Sequence, residues 1–124
     1  MADDNGALII AQSYFHAMAA KDVDAMLALV AEDIVCVSPL GDLTDAAGFR
    51  RFSEGFARMI ETLTLVAAFG EGQNAVIVYR ADTLPVRHAY VAEHLVIRDG
   101  KIASTRVIYD ATPFAAYAAA QQPH

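Results

Sequence analysis

Residues 89–110, AYVAEHLVIRDGKIASTRVIYD, decide how the rest of the chain is read. Two β-rich runs flank Asp99-Gly100, a break that signals an antiparallel hairpin. Val91, Glu93, Leu95 and Ile97 alternate onto one face of the first run, and the loop length sets what they meet on the second. A two-residue loop would set them against Ile102, Ser104, Arg106 and Ile108. A three-residue loop of Arg98, Asp99 and a left-handed Gly100 would set them against Ala103, Thr105, Val107 and Tyr109. The second set carries no charge, so the three-residue loop is expected. Glu93 then lies opposite Thr105, faces the core and has no built-in cation.

Upstream of the hairpin, Asn74 to about Asp82 and Leu63 to Phe69 read as strands joined at Gly70-Glu71-Gly72, with Pro85 ending the ladder after the first of these. Phe49, Phe52, Phe56, Met59 and Ile60 recur at helical spacing behind an Asp45 cap, which predicts a third helix that belongs to the core. Ile34 to Ser38 is a short β-branched strand that ends at Pro39 and places Ile34, Cys36 and Ser38 on one face. Before it, Asp22 caps a short helix, and Asp3, Asp4 and Asn5 are cap candidates for a first helix striped by Leu8, Ala11, Phe15, Met18 and Ala19. Tyr14 borders that stripe and is expected to be buried. Thr112-Pro113 opens a last short helix through Tyr117.

The 124 residues form a single domain, 1–124, long enough to bury a core without disulfides. A net charge of -6 and the absence of a Lys or Arg cluster argue against a nucleic-acid partner. No apolar run approaches the ~18 residues of a membrane span. The single cysteine, Cys36, fits a reducing compartment, and the N-terminal stretch lacks a basic signal-peptide start, so a cytoplasmic location is expected. The four histidines show no metal-ligand spacing, and neither a metal nor a cofactor is expected.

Helices followed by an antiparallel run make an α+β fold: a curved, mostly antiparallel sheet wrapped around N-terminal helices, with an internal pocket between them for a small ligand. The hairpin's other face carries Tyr90, Ala92, His94, Val96, Ile102 and Ile108, too apolar for a free surface, which predicts a homodimer through the outer sheet face.

The stretches YFHAMAAKDVDAMLALVAEDIVCVSPLG, AAGFRRFSEGF and EHLVIRDGKIASTRVIYD resemble the nuclear-transport-factor-2-like superfamily, which includes SnoaL-type polyketide cyclases, ketosteroid isomerases and limonene epoxide hydrolases. The resemblance to ketosteroid isomerases places Tyr14 at the oxyanion tyrosine and Glu93 at the protonated acid. Ser38, before Pro39, falls where that family has its aspartate base, and a serine hydroxyl without its own base cannot replace it. Similarity to limonene epoxide hydrolases is confined to Arg80-Ala81-Asp82, because the second aspartate of that set would fall at Val107. The leading expectation is an isomerase, cyclase or lyase acting on a hydrophobic carbonyl compound. Glu93 and Tyr14 would be catalytic, with Ser38, Cys36, Arg80, Phe56, Thr105 and Val107 around the substrate. A non-catalytic binding or dimerisation module and an epoxide-hydrolase-like enzyme are the alternatives.

Overall fold

The computed structural model describes residues 6–121, with side chains to Tyr117. The cap candidates Asp3, Asp4 and Asn5, and His124 at the tail, lie outside the described residues. Helices α1 (Gly6–Ala19) and α2 (Val23–Ala28) precede strands β1 (Val30–Ser38) and β2 (Gly41–Leu43). Helix α3 (Ala46–Met59) leads into β3 (Ile60–Glu71), β4 (Asn74–Thr83), β5 (Ala89–Arg98) and β6 (Lys101–Ile108), and α4 (Thr112–Gln121) closes the chain.

The six strands form one curved, unclosed sheet in the order β2-β1-β6-β5-β4-β3. Only β1 and β6 run parallel; every other pair is antiparallel. Register shifts in β3, between β5 and β6, and between β1 and β6 supply the bends, since an extra residue on one strand kinks and twists the ladder. The three-residue β2 was not foreseen, being too short for any periodicity to show.

The caps form as the sequence implies. Asp22 Oδ1 accepts from Ala25 N at 3.1 Å and Asp45 Oδ1 from Gly48 N at 2.7 Å, which satisfies N–H groups that the first turn leaves unpaired. Helix α1 buries Ala7, Ala11, Tyr14, Phe15, Ala17 and Met18. Its stripe is therefore rotated from Leu8 and Ala19 toward Tyr14. Leu8 instead sits over β3 at Gly70, where an added Cβ would lie 2.8 Å from Leu8 Cβ and 2.9 Å from Leu8 N. Gly70 is thus a strand residue chosen for close helix approach and not part of the turn, which falls on Gly72-Gln73.

The hairpin corrects the loop reading. Asp99 and Gly100 both adopt positive φ, 54° and 76°, so they make a two-residue turn, with Arg98 paired to Lys101. The extra residue lies further on: Ile97 pairs with Ile102 and Val96 with Ser104, which leaves Ala103 as a bulge. Glu93 consequently pairs with Val107, and Leu95 with Thr105. Parity is preserved, so Thr105 and Val107 still share Glu93's face and no charge opposes it. Ile102, expected on the outer face, is fully buried because the bulge turns it inward.

Candidate functional site

Three elements bring hydroxyls to one carboxyl. Alternation along β5 sends Val91, Glu93, Leu95 and Ile97 to the concave face, and Glu93 is only 2% exposed. On β4 the same rule sends Ile77, Tyr79 and Ala81 inward, with Tyr79 paired to Val91. Tyr79 OH donates to Glu93 Oε2 at 2.5 Å, while Thr105 Oγ1 and Tyr14 OH donate to Oε1 at 3.0 and 3.2 Å. Thr105 reaches Glu93 diagonally across the β5–β6 ladder, two positions from its paired Val107. Phe15 braces the Tyr79 ring at 5.5 Å, and Phe49 lies 6.4 Å from the Tyr14 ring.

Glu93 forms part of the wall of a cavity of about 400 Å³ between the sheet and α3. That volume is in the range of small-molecule sites. Phe49, Phe52, Phe56 and Met59 of α3 form one wall, and Tyr109, Phe114 and Tyr117 close in from the C-terminal end. Phe52 and Phe56 stack with rings 9° apart in angle and 6.3 Å apart in centroid, and Phe114 meets Tyr109 edge-on at 5.4 Å. Helix α3 is therefore a cavity wall more than a packed core element; it buries only Gly48, Phe49 and Ser53.

The electrostatics follow from this dryness. Burial raises the Glu93 carboxyl above the ordinary 4.5, although hydrogen bonds from Tyr79, Thr105 and Tyr14 all pull it down. Burial and the nearby Glu93 charge hold both tyrosines well above their ordinary 10. Burial, reinforced by Glu93 and Asp42, pushes the Cys36 thiol up to about 12, so it is a neutral lining group and a poor nucleophile. Among the described residues lining the cavity, Glu93 is the only Asp, Glu, Lys, Arg or His.

A family model for the SnoaL-like domain matches residues 11–105. This chain belongs to the SnoaL-like domain family. A solved protein from Kribbella flavida is 38% identical, with 94% of this chain and 97% of that one covered at a TM-score of 0.87. At 20% identity, a candidate ketosteroid isomerase from the same organism superposes over 87% of this chain and 80% of its own, with a TM-score of 0.79. A candidate polyketide cyclase from Sinorhizobium meliloti is 19% identical over 81% of this chain and 94% of its own, with a TM-score of 0.73. No curated protein matches the chain by sequence. The last two structures share the SnoaL-like fold alone.

Of the residues picked out by sequence, Glu93, Tyr14, Cys36, Phe56 and Val107 line the SnoaL-like cavity. Three do not. Ser38, partly buried, donates to Gly41 O at 2.8 Å and stabilises the β1–β2 turn. Thr105 is buried behind Glu93 and touches the site only through it. Arg80 lies on the outer face, since odd-numbered residues of β4 point inward, and its Nε donates to Asp82 Oδ2 at 3.2 Å. Asp82 also accepts from His88 N at 2.9 Å, so this pair fastens the β4–β5 loop. The Arg80–Asp82 hydrolase reading is corrected accordingly.

Tyr79 is the residue that sequence reasoning missed. In Val76-Ile77-Val78-Tyr79-Arg80-Ala81 the apolar pair Val76 and Val78 competes with Ile77 and Tyr79, so the pattern did not choose a face. Pairing β4 to β5 around the Leu84-Pro85 break would have placed Tyr79 beside Val91 and hence on Glu93's face. Tyr109 falls on Glu93's face in the sequence reading and lines the cavity, whereas Phe114 and Tyr117 go unassigned because they belong to α4, whose place no strand register fixes. Among the described residues no helix is long and apolar enough to cross a membrane, and no three His, Cys, Asp or Glu side chains group as a metal set.

Proposed function

We propose that this SnoaL-like protein binds a hydrophobic carbonyl compound and moves a proton between two of its carbons, with Glu93 as the acting carboxyl. The observation that carries this reading is the placement of a single buried carboxyl and the Tyr14 hydroxyl at the wall of an otherwise apolar cavity. Glu93, as carboxylate, takes the proton from the carbon next to the carbonyl. The electron pair moves onto the carbonyl oxygen, where the Tyr14 hydroxyl hydrogen-bonds the charge. Glu93 then returns the proton to a second carbon, so one group serves as base and acid in turn, and no Ser38 base is required. Burial that raises the carboxyl above its ordinary 4.5 strengthens it as a base.

The test uses enolisable cyclic enones and ketones as a panel in deuterium oxide, with carbon-bound exchange and double-bond migration read by NMR. Glu93→Gln is expected to lose exchange by 10² or more, in line with the worth of a general base, while keeping ketone binding. Exchange undiminished in Glu93→Gln would remove Glu93 from the chemistry. A binding module is the second reading, favoured by the three hydroxyls that already satisfy Glu93 without a ligand. It predicts binding in both proteins and exchange in neither.

We also infer a homodimer through the outer sheet face and a cytoplasmic setting. Support for the first is the outward run of Phe69, Tyr90 and Ile108, which are 66%, 61% and 57% exposed. Support for the second is the sole, buried, unpaired Cys36.

A further inference from the structure

We propose that Tyr79 is the positioning residue of this site: its hydroxyl anchors Glu93 Oε2 and so leaves Tyr14 free to turn to the ligand. The inference rests on Glu93 being the acting carboxyl and assigns the two tyrosines different tasks.

The assignment comes from counting acceptor sites. A carboxylate offers about four lone-pair positions, two on each oxygen. Oε1 already accepts from Thr105 and Tyr14, whereas Oε2 accepts from Tyr79 alone. When Tyr14 turns to a ligand each oxygen therefore keeps one donor, Thr105 on Oε1 and Tyr79 on Oε2. Thr105 does not line the cavity, so its bond ties Oε1 to the sheet. Tyr79 does line the cavity and, among the described residues, is the sole donor to Oε2.

The two tyrosines are also unequal in geometry. At 2.5 Å, the Tyr79 contact is at the short limit for a hydroxyl on an anionic oxygen, while the 3.2 Å Tyr14 contact is beyond the usual O–H···O range. Tyr79 stands on a central strand paired on both sides, to Leu65 and Val91, and its ring packs on Phe15. Its hydroxyl is thereby fixed by two ladders and a ring contact. Tyr14, with the longer bond, can leave Oε1 for a ligand oxygen at smaller cost, which suits the polarising role. Other titratable groups around the carboxyl are Cys36 of β1 and Tyr109 beyond β6, and neither hydrogen-bonds it.

The experiment follows the Glu93 side-chain carboxyl by 13C NMR in glutamate-labelled protein, with Glu93→Gln identifying its resonance. Tyr79→Phe is expected to move the Glu93 titration midpoint to higher pH, because the carboxylate loses its shortest donor, and to move it further than Tyr14→Phe does. Placing 3-fluorotyrosine at position 79 keeps the ring and strengthens the donor, so the midpoint should fall. With an exchanging ketone, the pH profile of kcat should follow each midpoint while KM changes little. A midpoint unmoved in both position-79 proteins, or moved more by Tyr14→Phe, overturns the assignment. Since the titration needs no substrate, the two readings fail separately. Exchange that survives Glu93→Gln removes the proposed reaction, and an unmoved midpoint removes the Tyr79 role.

Discussion

Glu93 is held between opposing effects, donors that favour its charge and burial that opposes it. Three hydroxyl donors favour the carboxylate, yet full burial raises the carboxyl above 4.5, so desolvation is the larger effect. The consequence for stability has a definite sign. Below pH 4.5 both folded and unfolded chains hold the proton, and Glu93 adds no pH dependence. Above it the unfolded chain releases the proton while the folded chain keeps it, so stability falls with rising pH until the folded group ionises. Wild type should therefore lose stability relative to Glu93→Gln from pH 4.5 upward, as read by urea midpoints between pH 4 and 8. A gap between the two proteins that stays constant with pH would mean that Glu93 titrates as it does when unfolded. As a base, Glu93 also requires turnover to rise with pH through its raised pKa. A falling profile would reassign it as a hydrogen-bond donor.

At the level of elements, the approach of α1 to β3 leaves no room for a side chain at Gly70. A Cβ added there would lie 2.8–3.1 Å from Leu8 Cβ, N and Cα, and such a methyl has no flexible side-chain end to push aside. Gly70→Ala should cost about 1–3 kcal/mol, the usual scale of overpacking, measured as a loss in unfolding free energy. The helix carries Tyr14, so the same variant should weaken ketone binding; unchanged stability would show that α1 slides freely on the sheet. The β5–β6 hairpin is constrained differently. Its turn is set by Asp99-Gly100, but the Ala103 bulge determines which Val and Thr meet Glu93.

For the whole molecule, the cavity and the outer face are two sides of one curved sheet. Odd-numbered residues of β5 build the site, while Tyr90, on the same strand, faces outward with Ile108 of β6. The inferred dimer is expected to survive at micromolar concentration in sedimentation experiments and to become monomeric on Tyr90→Lys with Ile108→Lys, with the cavity intact. A wild-type monomer at high concentration would leave this face without the inferred partner.

The sequence by itself determined the strand alternation, the hairpin, the caps of α2 and α3 and the inward face of Glu93, because these depend on contacts between near neighbours and on a period of two. It also placed Tyr14 and Phe56 correctly on helices that line the pocket. It could not choose the face of β4, where Val76 and Val78 compete with Ile77 and Tyr79, so Arg80 was expected inside and Tyr79 was passed over. Nor could it separate Ser38 and Thr105 from the cavity, since a small hydroxyl is equally at home in a turn, behind a carboxylate or against a ligand. Those assignments rest on register across strands far apart in sequence, on one bulge at Ala103 and on the curl that the bulges impose. Only the tertiary structure fixes these, because each depends on where a distant strand lies and not on the residues beside it.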